Sequence, residues 1–247
     1  MDRRIVIAAL LCASAWTQHA HAQAGPPMIT NDPDTPGPGT WEINTAITGG
    51  RTHDAWAIAA PDLDVNLGVG EHVQLSVQGA WEHARADAGP WQSGWGDVEL
   101  AARWRFLDDD TDGIAMAIQP MWVKGWSASA RRRGLASEHA EYALPLQVAH
   151  DFGGLSGGVE VARHFVSSEP DAWQLGAFVE HDCFAASECL GEIVSERTDG
   201  DSTRTTLNIG GRTPLTPTLK LLASIGSDVT GTDRQRLVFY LGVQYVR

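Results

Sequence analysis

Several stretches of this 247-residue chain hold residue types that could do chemistry. Gly154-Leu155-Ser156-Gly157-Gly158 has the G-x-S-x-G spacing of a hydrolase nucleophile elbow. That motif needs a strand, a sharp turn and then a helix. A strand pattern follows instead, so a hairpin turn is expected. Ser137 and His139 are close in sequence, but nothing pairs them with a third group. Asp108-Asp109-Asp110-Thr111-Asp112-Gly113 opens like a calcium loop, yet its twelfth position is Gln119 rather than a closing acid,. A solvated acidic turn is the simpler reading. Arg131-Arg132-Arg133 could pair with phosphates of a surface glycolipid, or sit in a solvated loop,. No nucleotide-binding or paired-cysteine metal motif occurs. No catalytic residue, cofactor or metal is therefore assigned.

A dispersed set is more informative. Asp97, Glu99, Arg103, Arg105, Glu141, Glu160, His164 and Glu180 fall between apolar residues at every second position. The pattern is clearest from Gly94 to Leu107. Val98, Leu100, Ala102, Trp104 and Phe106 alternate there with Asp97, Glu99, Arg103 and Arg105. Alternate side chains of a strand point to opposite faces. Such a strand has one apolar and one ionisable face. That suits a soluble sheet facing water, or a membrane barrel whose apolar face meets lipid and whose charged face lines a wet lumen.

The elements that must position these residues recur along the chain. Alternating runs are expected from Trp41, near Trp56 to Val69, from Val73 to Trp81 and from Gly94 to Leu107. Further runs span Ile114 to Trp122, Tyr142 to His150, Val159 to His164 and Trp173 to Glu180. The last are a weak run near 190–197, then Thr206 to Arg212, Leu219 to Ile225 and Leu237 to Tyr245. Residues 83–95 and 124–138 read as long loops; 70–72, 108–113, 151–154 and 213–218 read as short turns. Short strands with turn signals and no amphipathic helix indicate an all-β sandwich or barrel.

The N-terminus bounds the compartment. Arg3-Arg4, an apolar run from Ile5 to Trp16, and Ala20-His21-Ala22 have the order of a cleavable signal peptide over 1–22,. A Pro/Gly-rich lead-in follows at 23–39, then a domain over 40–247,. The net charge is −13; residues 1–22 carry +1, which leaves −14. A field of that sign disfavours nucleic acid as a partner. The remaining cysteines, Cys183 and Cys189, would meet an oxidising compartment, where a disulfide across a short loop is expected,.

Three features favour an antiparallel transmembrane β-barrel of about 12 strands over a sandwich. The longer runs reach the nine to eleven residues that a tilted strand needs to cross hydrocarbon. Short turns alternate with longer loops. Aromatics gather in two belts: Trp41, Trp104 and Tyr245 at the short-turn ends, and Trp81, Trp122 and Trp173 nearer the loop ends,. The expected setting is the outer membrane of a Gram-negative-type bacterium, as a monomer surrounded by outer-membrane lipid.

Two segments carry a family resemblance. They are Pro26-Pro27-Met28-Ile29-Thr30-Asn31-Asp32-Pro33 with Gly39-Thr40-Trp41-Glu42-Ile43-Asn44, and Gly94-Trp95-Gly96-Asp97-Val98-Glu99-Leu100 with Arg103-Trp104-Arg105-Phe106. From about residue 26 to 165 the chain resembles the outer-membrane family named for the meta-pathway of phenol degradation. The resemblance implies a transporter barrel passing small aromatic or other apolar molecules. It departs from the usual barrel terminus, since the chain ends Tyr245-Val246-Arg247 rather than in an aromatic. A passive channel or transporter for small-molecule solutes is the expected function. A closed structural barrel and an outer-membrane enzyme acting on lipid or glycolipid are the alternatives.

Overall fold

The computed structural model describes residues 25–86, 89–108, 113–184 and 186–247. The expected signal peptide and Asp109, Asp110 and Asp112 lie outside the described residues. The strands are β1 (Trp41–Arg51), β2 (Ala55–Val69), β3 (Val73–Ala86), β4 (Gln92–Leu107), β5 (Ile114–Ile118) and β6 (Met121–Gly125). They continue as β7 (Glu141–Asp151), β8 (Leu155–Val166), β9 (Ala172–Phe184), β10 (Ser187–Thr198), β11 (Arg204–Thr216), β12 (Leu219–Thr230) and β13 (Leu237–Val246). Every neighbouring pair is antiparallel. The ring closes where β1 meets β13, from Glu42 opposite Val246 to Arg51 opposite Leu237. The Trp41 N–H donates to the Arg247 carbonyl at 2.7 Å, and the Arg247 N–H returns a bond at 2.9 Å. A closed ring leaves no unpaired edge, the condition for strands in hydrocarbon.

Thirteen segments fill twelve positions because β5 and β6 share one place between β4 and β7. The sequence pattern reads them as one strand. Pro120 splits it, because proline has no N–H for the ladder. The ladder continues around it: the Ala102 N–H donates to the Pro120 carbonyl, and the Gln119 N–H donates to the Pro145 carbonyl.

Four other expectations change. The turn expected at 213–218 shrinks to Pro217 and Thr218, since β11 runs to Thr216 and β12 starts at Leu219. The loop expected at 83–95 is mostly strand, since β3 runs to Ala86 and β4 starts at Gln92. The weak run near 190–197 is a full strand, β10, paired along both edges. Its alternation reads poorly because its interior face carries Leu190 and Val194 as well as Glu192. The loop before β7 contains a short helix, α1 (Ala128–Arg131), capped by Ser127 Oγ accepting from the Ala130 N–H.

The side chains are arranged inside out relative to a soluble protein. Leu100, Trp104, Leu144, Leu175, Ile209 and Leu241 are all exposed on the outer face. Asn44, Gln74, Arg103, Gln147, Glu160, Glu192 and Arg212 are buried inside. The only buried apolar cluster among the described residues is the pair Ala149 and Phe178. An apolar outer band over a polar interior is the division a membrane barrel requires.

Candidate functional site

The interior is partly filled by the Pro/Gly-rich lead-in. Glu192 on β10 accepts the N–H groups of Ile29 and Thr30, both at 2.8 Å. Ser224 on β12 donates to the Pro27 carbonyl at 2.8 Å. Arg212 on β11 donates to the Pro26 carbonyl at 3.1 Å. Arg103 on β4 donates to the Asp34 carbonyl at 2.7 Å, and its guanidinium lies 3.6 Å from the Asp32 carboxylate. Arg105 reaches the Asp34 carboxylate at 3.1 Å. A segment without its own ladder must place its backbone polar groups elsewhere; here the wall receives them.

Two glycines in the wall make this docking possible. A Cβ on Gly176 would lie 2.4 Å from Thr30 Oγ1. A Cβ on Gly68 would lie 1.7 Å from the Gly37 carbonyl oxygen, while the Gly68 N–H bonds to Thr40 and its carbonyl to the Gly39 N–H. Glycine serves where another backbone approaches this closely.

The expected lumen residues separate into groups. Arg103 and Arg105 hold the lead-in. Arg103 also donates to Gln119 at 2.8 Å. Gln147 bridges Gln119 to Glu160, at 3.0 and 2.9 Å. Glu180 pairs with Arg212 at 3.1 Å, and Glu188 adds a second carboxylate at 3.3 Å. His164 and Glu141 meet at 2.6 Å. Asp97 stands apart at the loop end, where its carboxylate accepts from the Ser137 N–H and hydroxyl at 2.8 and 2.5 Å. It therefore anchors the loop before β7. Glu99 makes no side-chain hydrogen bond or ion pair among the described residues.

Arg212, Glu192, Asp62 and Asp64 are interior residues absent from the expected set. Arg212, Asp62 and Asp64 occupy the polar phase of their strands, so alternation alone could have named them; Glu192 shares its face with Leu190 and Val194 and gave no such signal. The lead-in partners had no such signal: Ile29 and Glu192 are 163 residues apart.

What remains open is a cavity of about 380 Å³ between the lead-in and the β1–β4 wall. Glu42, Asp62, Asp64 and Glu99 line it from the wall, and Tyr240 and Gln244 from β13. The lead-in's anchors Arg103 and Arg212 also border it, with Glu160 and His164 from β8. Asp62 accepts from Thr48 and Gln78, and Asp64 from Asn44 and Asn66, at 2.9 to 3.1 Å. This wall is also irregular: β-bulges interrupt the β1–β2, β2–β3 and β3–β4 registers at Ala46/Thr48, Ala59/Asp62 and Gly79/Trp81. A bulge bends a strand and re-aims its side chains.

The remaining candidates are structural. Ser156 lies in β8 just past a turn with left-handed Gly153 and Gly154, opposite Asp151 and Glu180. It is a hairpin residue with no helix behind it. Cys183 and Cys189 form a disulfide across the β9–β10 hairpin. Arg133 caps its own loop by donating to the Ser129 and Ser93 carbonyls. On the outer face, Trp41, Trp104 and Tyr245 stand at the short-turn end. Trp81 meets Trp95 edge-on at 5.3 Å, and Trp122 meets Trp126 at 5.8 Å, toward the other end. Trp173 lies under Arg163.

No family model and no curated protein matches this chain. Solved structures do. The COG4313 outer membrane channel from Pseudomonas putida F1 aligns with a TM-score of 0.67 and 11% identity, over 92% of this chain and 99% of that one. The KdgM porin, also solved in complex with disordered oligogalacturonate, aligns at 0.58 and 13% identity, over 83% and 98%. The NanC porin aligns at 0.57 and 11%, over the same shares. By fold, this chain is a closed twelve-strand antiparallel barrel similar to outer-membrane porins and channels.

Proposed function

We propose that this protein is a passive channel or transporter for small molecules in the outer membrane of a Gram-negative-type bacterium. The observation that carries this reading is the polar interior running behind an apolar outer face, with a cavity left beside the lead-in. A structural barrel has no need of an unfilled polar interior. Residues 1–22 are read as a leader removed on export. Outer-membrane lipid is the surrounding partner. A monomer suffices, because the ring offers no free strand edge.

The resemblance to the meta-pathway family extends the reading to small aromatic solutes. Met28, Ile29, Met121 and Tyr240 give the cavity apolar patches among its polar groups, which suits a ring bearing polar substituents. The oligogalacturonate bound by the KdgM porin is a polyacid, and the acidic wall here disfavours such a solute. A closed structural barrel is the second reading, because the lead-in occupies the interior. Uptake into liposomes separates the two. Small polar solutes should enter vesicles holding the protein faster than control vesicles. Equal rates for every solute, with or without the lead-in, would favour the closed form.

A further inference from the structure

The lumen has two electrically different sides facing one cavity; Arg103 and Arg212 line that cavity too, but their charge is answered by Asp32 for Arg103 and by Glu180 and Glu188 for Arg212. On the lead-in side, the carboxylates have cationic or backbone partners: Glu180 and Glu188 have Arg212, and Glu192 has two lead-in N–H groups. On the β1–β4 side, Glu42, Asp62, Asp64 and Glu99 have no ion pair among the described residues. The donors that hold Asp62 and Asp64 are neutral amides and a hydroxyl. Neutral donors fix a carboxylate's position without cancelling its charge. Carboxylates side by side in a low-dielectric channel repel one another, and a mobile cation relieves that repulsion.

A second observation points the same way. Gln244 lines this cavity and is 3% exposed, yet its side-chain oxygen has no hydrogen-bond partner. The Asn44 side-chain oxygen, opposite it across the β1–β13 pair, is likewise unpartnered. Buried acceptors left open call for a donor. Tyr240, two residues before the wall's neighbour Gly242, supplies an aromatic ring at the same cavity, and such rings attract organic cations,. Among the described residues no three His, Cys, Asp or Glu side chains converge as a metal site. The charge is spread along a wall rather than gathered at a point.

We propose that the cavity between the lead-in and the β1–β4 wall selects small organic cations, amines or ammonium compounds, over anions. This rests on the channel reading and names its solute class. The acids supply the field, the open Gln244 oxygen accepts an N–H donor, and Tyr240 packs against the apolar part of the cation. The cavity volume falls in the range of small-molecule sites.

The test pairs two measurements on the purified full chain. Reversal potentials across planar bilayers in a salt gradient should show cation preference, and Asp62→Asn with Asp64→Asn and Glu99→Gln should move the permeability ratio several-fold toward unity. Calorimetry in detergent should show benzylammonium binding, weakened several-fold by Tyr240→Leu, and no binding of benzoate. Current that is unselective or anion-selective, with no ammonium binding, overturns this inference and leaves the channel reading standing. Silence in bilayers with ammonium binding retained supports the cation site and overturns transport. Neither current nor binding overturns both.

Discussion

The two sides of the lumen solve the same problem in opposite ways. Both carry inward-facing acids on strands whose other face meets lipid. Around the lead-in, the acids are matched by Arg212 and by backbone N–H groups, so that side is filled and fixed. Along β1–β4, Asp62 and Asp64 are held by neutral amides and a hydroxyl, Glu99 has no such partner, and all three face a cavity. The difference teaches that a polar interior is not by itself a channel. Whether it conducts depends on whether its charges are satisfied by the protein or left for a solute.

The largest effect is expected at Arg212. It is 1% exposed and holds two carboxylates and two lead-in carbonyls. Arg212→Met leaves the carboxylates buried without a cation, which costs about 3–5 kcal/mol. Urea unfolding of the barrel in lipid vesicles should show that loss, and the lead-in should become sensitive to protease. Unchanged stability would mean that the lead-in is not held there.

A smaller effect comes from crowding the docked segment. Gly176→Val places a side chain where Thr30 now sits. Overpacking of this kind costs roughly 1–3 kcal/mol. Here part of the cost can be relieved by expelling the lead-in, so bilayer currents should rise while the barrel still forms. The same substitution at Gly191, whose Cβ would have ordinary contacts, should leave the currents alone.

On the open side, the stability effect should be near zero or favourable. Asp64→Asn keeps the shape of the side chain and removes a repelling charge. Its melting temperature should equal or exceed that of the parent. A marked loss of stability would show that the β1–β4 acids are structural after all, and the contrast between the two sides would fail.

The smallest effect lies outside the lumen. Asp199, in the loop between β10 and β11, is held by Arg163 at 2.7 Å, and that hydrogen bond lowers its pKa below the usual value of 3.8. The clasp therefore contributes fully above the unfolded value and is lost as pH falls through the lower folded one. Both groups are solvent-screened, so the change should appear only as faster amide exchange in the loop below about pH 4, and Asp199→Asn should remove it.

Much of this fold was legible because alternation is a local signal. Arg103 and Arg105 directly precede Trp104 and Phe106, and that alternation already assigns one pair inward and the other outward. Pro120 and the bulges disturb the pattern without changing which face is apolar. The site was less legible. Pro26 to Pro38 reads correctly as irregular chain, but nothing local says that it folds back into the barrel. Its partners lie on β4, β8 to β12 and at the β2–β3 turn, and such pairings exist only once the ring is closed. Asp97 shows the same limit from the other direction. Its strand phase points it inward, but Ser137, 40 residues away, claims it for a loop.

The most direct measurement is the single-channel conductance of the intact chain beside one lacking residues 25–36. An interior divided between a docked segment and an open wall predicts small steps from the intact protein and clearly larger ones from the shortened protein. Identical steps from both would contradict a lead-in that fills the lumen, and with it the division between the two sides.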